Sequence, residues 1–163
     1  MQNPTVNDQV INVLSNAGIE FNITAKGTGL KRDNWDCDGW MLELTSKGKT
    51  EYFDHFTGIG HRTPISKPTN GGPMPRKGTL MYDQLEKQRK PVTPDVCGII
   101  HCLNIESQAI NESFPNWCDN FGYDSDSLKA LNVYNTCCES AKKYCSVIDR
   151  ATREQLEVIL SDY

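Results

Sequence analysis

Residues 63–79, TPISKPTNGGPMPRKGT, hold four prolines and three glycines. Proline fixes φ and removes a backbone donor, and glycine gives up conformational entropy, so no regular element survives at that density. The run cuts the 163-residue chain into two parts with different apolar periods. Upstream, the apolar period is two, after an opening helix. Downstream it is three to four.

Val6, Val10, Val13, Leu14 and Ala17 recur at helical spacing. Thr5 can cap that helix with Asp8 near its positive end, and Gly18 stops it. Ile19, Phe21 and Ile23 alternate with polar residues and predict a half-buried strand over 19–26. The polar, glycine-containing run 28–39 reads as a loop. WMLELTS and TEYFDHFTG read as two strands of a hairpin joined through Lys47, Gly48 and Lys49.

Beyond the break, Thr79 can cap a short helix with Leu80, Met81, Leu85 and Tyr82 as its inward candidates. Thr93 can cap another, with Pro94 at its first position and Asp95 in its first turn, and Val96, Ile99, Ile100 and Leu103 form its apolar face. A helix around 114–121 should stop at Gly122, and Asp124 or Ser125 can cap a long one. The stripe of the long helix reads Leu131, Tyr134, Cys138, Ala141, Cys145, Ile148. Thr152 with Gln155 fits a capping box for a last helix carrying Leu156, Ile159 and Leu160. The expected fold is α+β: a small antiparallel sheet with an N-terminal helix, followed by a C-terminal helical bundle. It is read as a single domain over 1–163. The sheet part runs to about 62, a basic loop and short helix cover 63–91, and the helical part covers 92–163.

Charge follows the same division. Residues 1–61 carry a net −3, residues 62–90 a net +5 and residues 91–163 a net −6. The middle segment is the basic block of an otherwise acidic chain, and such asymmetry points to a partner. The partner-facing residues expected from it are His61, Arg62, Lys67, Arg76, Lys77, Lys87, Arg89 and Lys90. A block of this kind binds phosphates, docks on an acidic surface of its own or another chain, or is a solvated loop. Tyr82 is its one interleaved aromatic, so stacking on single strands is not indicated.

YFDHFTGIGHR, residues 52–62, looks like an active site but fails as one. Asp54 and His55 are neighbours on a strand and point to opposite faces. Gly58-x-Gly60 lacks the third glycine and the following helix of a dinucleotide loop. Among the seven cysteines, Cys37 lies between Asp36 and Asp38 and Cys118 precedes Asp119. Acidic neighbours are the wrong sign for an activated thiolate. Asp119, Asp124 and Asp126 lack the glycine and terminal glutamate of an EF-hand. Cys97 and His101 have ligand spacing on a helix but no second tight pair, so a metal-dependent enzyme is the weakest reading. No cofactor is expected and no catalytic residue is assigned. No apolar run approaches the roughly 20 residues of a membrane helix, and no signal peptide is read, so a cytoplasmic protein is expected.

Several motifs together resemble those of a family of small uncharacterised accessory proteins carried by phages and prophages of proteobacteria. They are Trp35-x-Cys37-Asp38-x-Trp40, Gly58-x-Gly60-His61-Arg62, Gly78-Thr79-Leu80, Pro94-Asp95-Val96 with His101-Cys102-Leu103, SFPNWCDNFGYDSDS, and the tail TREQLE. The resemblance covers nearly all of the chain after the first helix and is most specific over Trp117–Ser127. At Gly98-Ile99-Ile100-His101 the chain departs from the family's more acidic, leucine-rich run, so His101 is not carried over as a shared functional residue. The resemblance implies a protein made in the cytoplasm of a bacterial host that acts by binding. The target class expected is a host defence protein or ribonucleoprotein complex such as CRISPR–Cas, inhibited in the manner of an anti-CRISPR. Direct nucleic-acid binding through 61–90 is the alternative.

Overall fold

The structure, a computed structural model, describes residues 4–32, 34–65, 71–161 and 163. Its elements are α1 (Val6–Asn16), β1 (Ile19–Arg32), β2 (Trp35–Ser46), β3 (Lys49–Gly58), α2 (Leu80–Lys87), α3 (Val96–Ser107), α4 (Phe114–Phe121), α5 (Leu128–Val147) and α6 (Arg150–Leu160). A single 3-10 turn, Gln108–Asn111, follows α3. The three strands form one antiparallel sheet in the order β1-β2-β3. The expected class holds: α+β, with an N-terminal helix, a small sheet and C-terminal helices.

The chain divides into two compact units. The first comprises Met1–Thr24, Met41–His55 and Pro94–Tyr163; the second comprises Ala25–Trp40 and Phe56–Thr93.

In the first unit, Thr5 Oγ1 accepts from the Asp8 N–H at 3.1 Å and the Asp8 carboxylate accepts from the Thr5 N–H at 3.3 Å. This reciprocal box satisfies two donors that helix geometry leaves unpaired. It starts α1, whose Val10 and Leu14 join a core with Leu42 and Leu44 of β2, Phe53 of β3, Ile99, Ile100 and Leu103 of α3, and Leu156 and Leu160 of α6. The β2–β3 turn is Lys47-Gly48, with φ of 52° and 78°. Positive φ at both central residues is the type I′ geometry, whose twist matches that of the strands it joins.

The same unit holds a second, smaller core of Ala109, Trp117, Cys118 and Ala130. Around it Trp117 stacks on Tyr123 at 4.8 Å between ring centres, and the Tyr134 hydroxyl donates to the Glu112 carbonyl at 2.6 Å. α5 serves both cores. Its N-terminal half packs Ala130, Val133, Tyr134, Cys137 and Cys138 against the small one, and its C-terminal half sends Tyr144 and Val147 into the large one.

Four local expectations are corrected. The run 28–39 is not a loop: β1 continues to Arg32 and β2 already begins at Trp35. Asn34, at φ 69°, sits in the left-handed region that asparagine tolerates, and Cys37, Asp38 and Gly39 of the run are buried. The cap of α3 is Asp95, which accepts from the Gly98 N–H at 2.9 Å. Thr93 and Pro94 both lie upstream of that cap, so the proline precedes the helix instead of opening it. α5 is capped by Ser127 because Asp124 is used in a local turn, accepting from the Asp126 N–H at 3.0 Å. α6 is capped by Asp149, which leaves Thr152 inside the helix and buried.

Candidate binding surface

The second unit carries most of the basic block. Its organising contact is an ion pair between neighbouring segments. Asp38 of β2 is fully buried and Arg62 is 14% exposed. Arg62 Nε donates to Asp38 Oδ2 at 3.1 Å and Nη2 donates to Oδ1 at 2.9 Å; the Gly29 N–H donates to the same Oδ1 at 3.2 Å. Fork-to-fork geometry makes this the strong form of a charge-assisted pair. The Arg62 hydrogen bonds hold the Asp38 carboxyl below the usual carboxylate range, against the opposing effect of burial, with the Gly29 N–H assisting. The same bonds raise Arg62 above its ordinary value.

Arg89 closes the next layer. Its Nε donates to the Thr63 carbonyl at 2.6 Å, its Nη2 to the Arg62 carbonyl at 3.1 Å and its Nη1 to Glu86 Oε1 at 2.6 Å. Residues 61–63 and 90–92 are tied by Thr63 N–H to Lys90 O at 2.7 Å, Val92 N–H to His61 O at 3.0 Å and an antiparallel bridge between Arg62 and Pro91. Two of the expected partner-facing cations, Arg62 and Arg89, therefore have their guanidinium groups engaged inside the unit. His61, Arg76, Lys77, Lys87 and Lys90 are exposed. Lys67 lies outside the described residues.

α2 is where the exposed cations meet apolar surface. Thr79 caps it, its Oγ1 accepting from the Tyr82 N–H at 3.3 Å, and Lys87 lies in its last turn, where the helix dipole favours a cation. Leu80 and Met81, expected inward, are 75% and 56% exposed. Leu85 and Tyr82 are half-buried, as is Glu86, so the apolar residues of this helix are divided between an inner and an outer side. Arg76 and Lys77 immediately precede it.

The same unit has an open cleft of about 680 Å³ lined by Arg32, Asn34, Trp35, Asp36, Cys37, Phe56, Thr57, Gly58 and Ile59. Trp35 is 77% exposed, and the Arg32 guanidinium stands 4.4 Å from the centre of the Phe56 ring, a cation–π contact. Residue spacing carries no sign of this cleft, because five of its nine lining residues come from the run read as a loop.

The other sites weighed from sequence lie in the first unit. Cys97 is buried in the large core, and burial, with Asp95 adding, pushes its thiol up. His101 packs against the Tyr163 ring at 5.1 Å. Among the described residues no group of three or more His, Cys, Asp or Glu side chains is arranged to hold a metal ion. Burial also pushes the Cys102 and Cys118 thiols up. No helix among the described residues is long and apolar enough to cross a membrane. No protein family's sequence profile, no curated protein and no solved structure matches the chain.

Proposed function

We propose that the chain is a phage or prophage accessory protein that acts by binding, as an inhibitor of a host defence complex such as CRISPR–Cas in the bacterial cytoplasm. The observation that carries the binding reading is the outer side of α2. Leu80 and Met81 are exposed there beside exposed Arg76, Lys77 and Lys87. Apolar anchors with a cationic rim suit an acidic partner surface: the anchors supply desolvation and the charges steer the encounter. The motif resemblance supplies the biological setting.

The test is phage plaquing on strains that each carry one defence system, with and without this protein. Rescue in one strain identifies the target. Replacing both Leu80 and Met81 with aspartate should abolish rescue and leave the unfolding midpoint unchanged, since both side chains face solvent. Absence of rescue in every strain removes the inhibitor reading.

A second reading, nucleic-acid binding, is favoured by Arg76, Lys77, Lys87 and Lys90, exposed cations of one unit. Neutralising four phosphates predicts that log affinity falls against log salt with a slope of about −3 to −4. A flat response, or no binding at low salt, eliminates it.

A further inference from the structure

The second unit gathers ten basic and five acidic side chains, a net +5. Tyr82 is the one aromatic of the basic segment itself, but the fold brings another into the same unit. Trp35 of β2 is 77% exposed, whereas Trp40 and Trp117 are buried. Trp35 does not stand alone on the surface. It shares the cleft of about 680 Å³ with the half-buried Phe56 and Ile59, a volume in the roughly 300–1,000 Å³ range of small-molecule sites.

The charge in that cleft is positive. The Arg32 guanidinium stands on the Phe56 ring, 4.4 Å from its centre, and no carboxylate among the described residues is paired with it. Asp36, the carboxylate of the lining, is taken by Lys31 at 2.7 Å. The cleft also leads into the basic surface along the chain. Gly58 and Ile59 line it, and the Gly58 carbonyl accepts from the His61 N–H at 2.9 Å. The Thr63 N–H then donates to the Lys90 carbonyl at 2.7 Å. His61 and Lys90 are exposed, and exposed Lys87 ends α2 just before Lys90.

We propose that the second unit binds single-stranded nucleic acid, with one base stacked on Trp35, the adjoining phosphate on Arg32, and the strand continuing past His61 to Lys90 and Lys87. Such binding rests on the nucleic-acid reading above and adds a preference for one strand over two. Bases inside a duplex are stacked on each other and offer an indole no free face, whereas every unstacked base has one. An arginine lying on an aromatic ring extends the stacking surface and meets the phosphate with its fork of donors.

The probe is a short oligothymidylate, titrated into the full chain at low salt and followed by tryptophan fluorescence. Because Trp40 and Trp117 are buried, quenching reports on Trp35. Saturable quenching is expected. The duplex of the same strand with oligoadenylate should leave the fluorescence unchanged, and an abasic strand of the same length should bind at least about fivefold more weakly. With the label moved to the oligonucleotide, Trp35→Ala should lose at least about fivefold and Trp35→Phe should recover most of it. Neither alters the slope of log affinity against log salt, since neither removes a phosphate contact. Arg32→Gln should weaken binding and flatten that slope by about 0.7. Equal quenching by single strand and duplex, equal affinity for the abasic strand, or unchanged affinity in Trp35→Ala overturns the proposal and leaves the nucleic-acid reading in place. Failure of all three nucleic acids to bind at low salt overturns both.

Discussion

Replacing Arg62 with alanine strands a buried carboxylate. Asp38 keeps the Gly29 N–H at 3.2 Å but loses two charge-assisted bonds, at 3.1 and 2.9 Å. Removing one partner of a buried ion pair costs about 3–5 kcal/mol. Arg62 is 14% exposed, so water can reach the space it vacates, and the expected loss is about 2–3 kcal/mol. At about 2–4 °C per kcal/mol for a chain of this size, the thermal midpoint should fall by roughly 5–10 °C. The pH dependence carries the sharper signature. In the native protein the folded pKa of Asp38 is depressed, so the pair's contribution is present above the ordinary aspartate value of 3.8 and is lost as pH falls through the lower folded value. In Arg62→Ala the depressing cause is gone, burial dominates and the folded pKa moves above the unfolded one. The variant then loses stability as pH rises from the unfolded value through the folded one. The gap between the two proteins should be widest at neutral pH and close below about pH 4. Urea titrations at several pH values, read by circular dichroism, measure it. A second change, Asp38→Asn in the Arg62→Ala background, should recover part of the loss at neutral pH. A gap within about 0.5 kcal/mol at neutral pH, or one independent of pH, refutes the reasoning.

Thr5→Ala removes half of the α1 capping box and should cost about 1 kcal/mol, visible as a lower urea midpoint. Tyr144→Phe deprives Asn104 Oδ1 of its donor and should cost about 1–3 kcal/mol, whereas Tyr144→Ala also opens a cavity in the large core and should cost about 3–5 kcal/mol or more; thermal denaturation ranks the two, and equal losses contradict this account. Cys97 and Cys118, both buried with thiols pushed up, should resist a thiol-specific chromogenic reagent in the native state and react only on unfolding, while reaction at the native rate of a free thiol speaks against their burial.

The alternation of β2 and β3 and the start of α1 were legible because each rests on neighbours in sequence: Leu42, Leu44 and Phe53 are buried in the large core, and Thr5 reaches Asp8. The run 28–39 was not. Its glycine and polar content argues for a loop, and what makes it strand is a buried aspartate matched to an arginine 24 residues downstream. No periodicity encodes that partner. The stripe of α5 holds for Tyr134, Cys138, Ala141 and Ile148 but fails at Leu131 and omits Tyr144, for a related reason. A single helical face fits Leu131, Tyr134, Cys138, Ala141, Cys145 and Ile148, but the helix passes from one core to another. Its most buried face includes Ala130, Ala141, Tyr144 and Val147, and Leu131 is 38% exposed. Tyr144, among the largest fully buried side chains, was missed on that account. At the binding surface, charge counting found the block but could not tell Arg62 and Arg89, bound to Asp38 and Glu86, from the exposed Arg76 and Lys87.

Each of α1 to α6 begins with a side chain that accepts a hydrogen from its own first turn: Thr5, Thr79, Asp95, Ser113, Ser127 and Asp149. None of these bonds spans more than three residues. The signal for each helix start is therefore local, although helices this short owe most of their stability to the packing that follows. Amide exchange should carry the imprint. The capped N–H groups of Asp8, Tyr82, Gly98, Asn116, Ala130 and Thr152 should exchange more slowly than the uncapped first-turn amides beside them. That contrast should persist in denaturant concentrations at which the Asp38–Arg62 pair has already come apart.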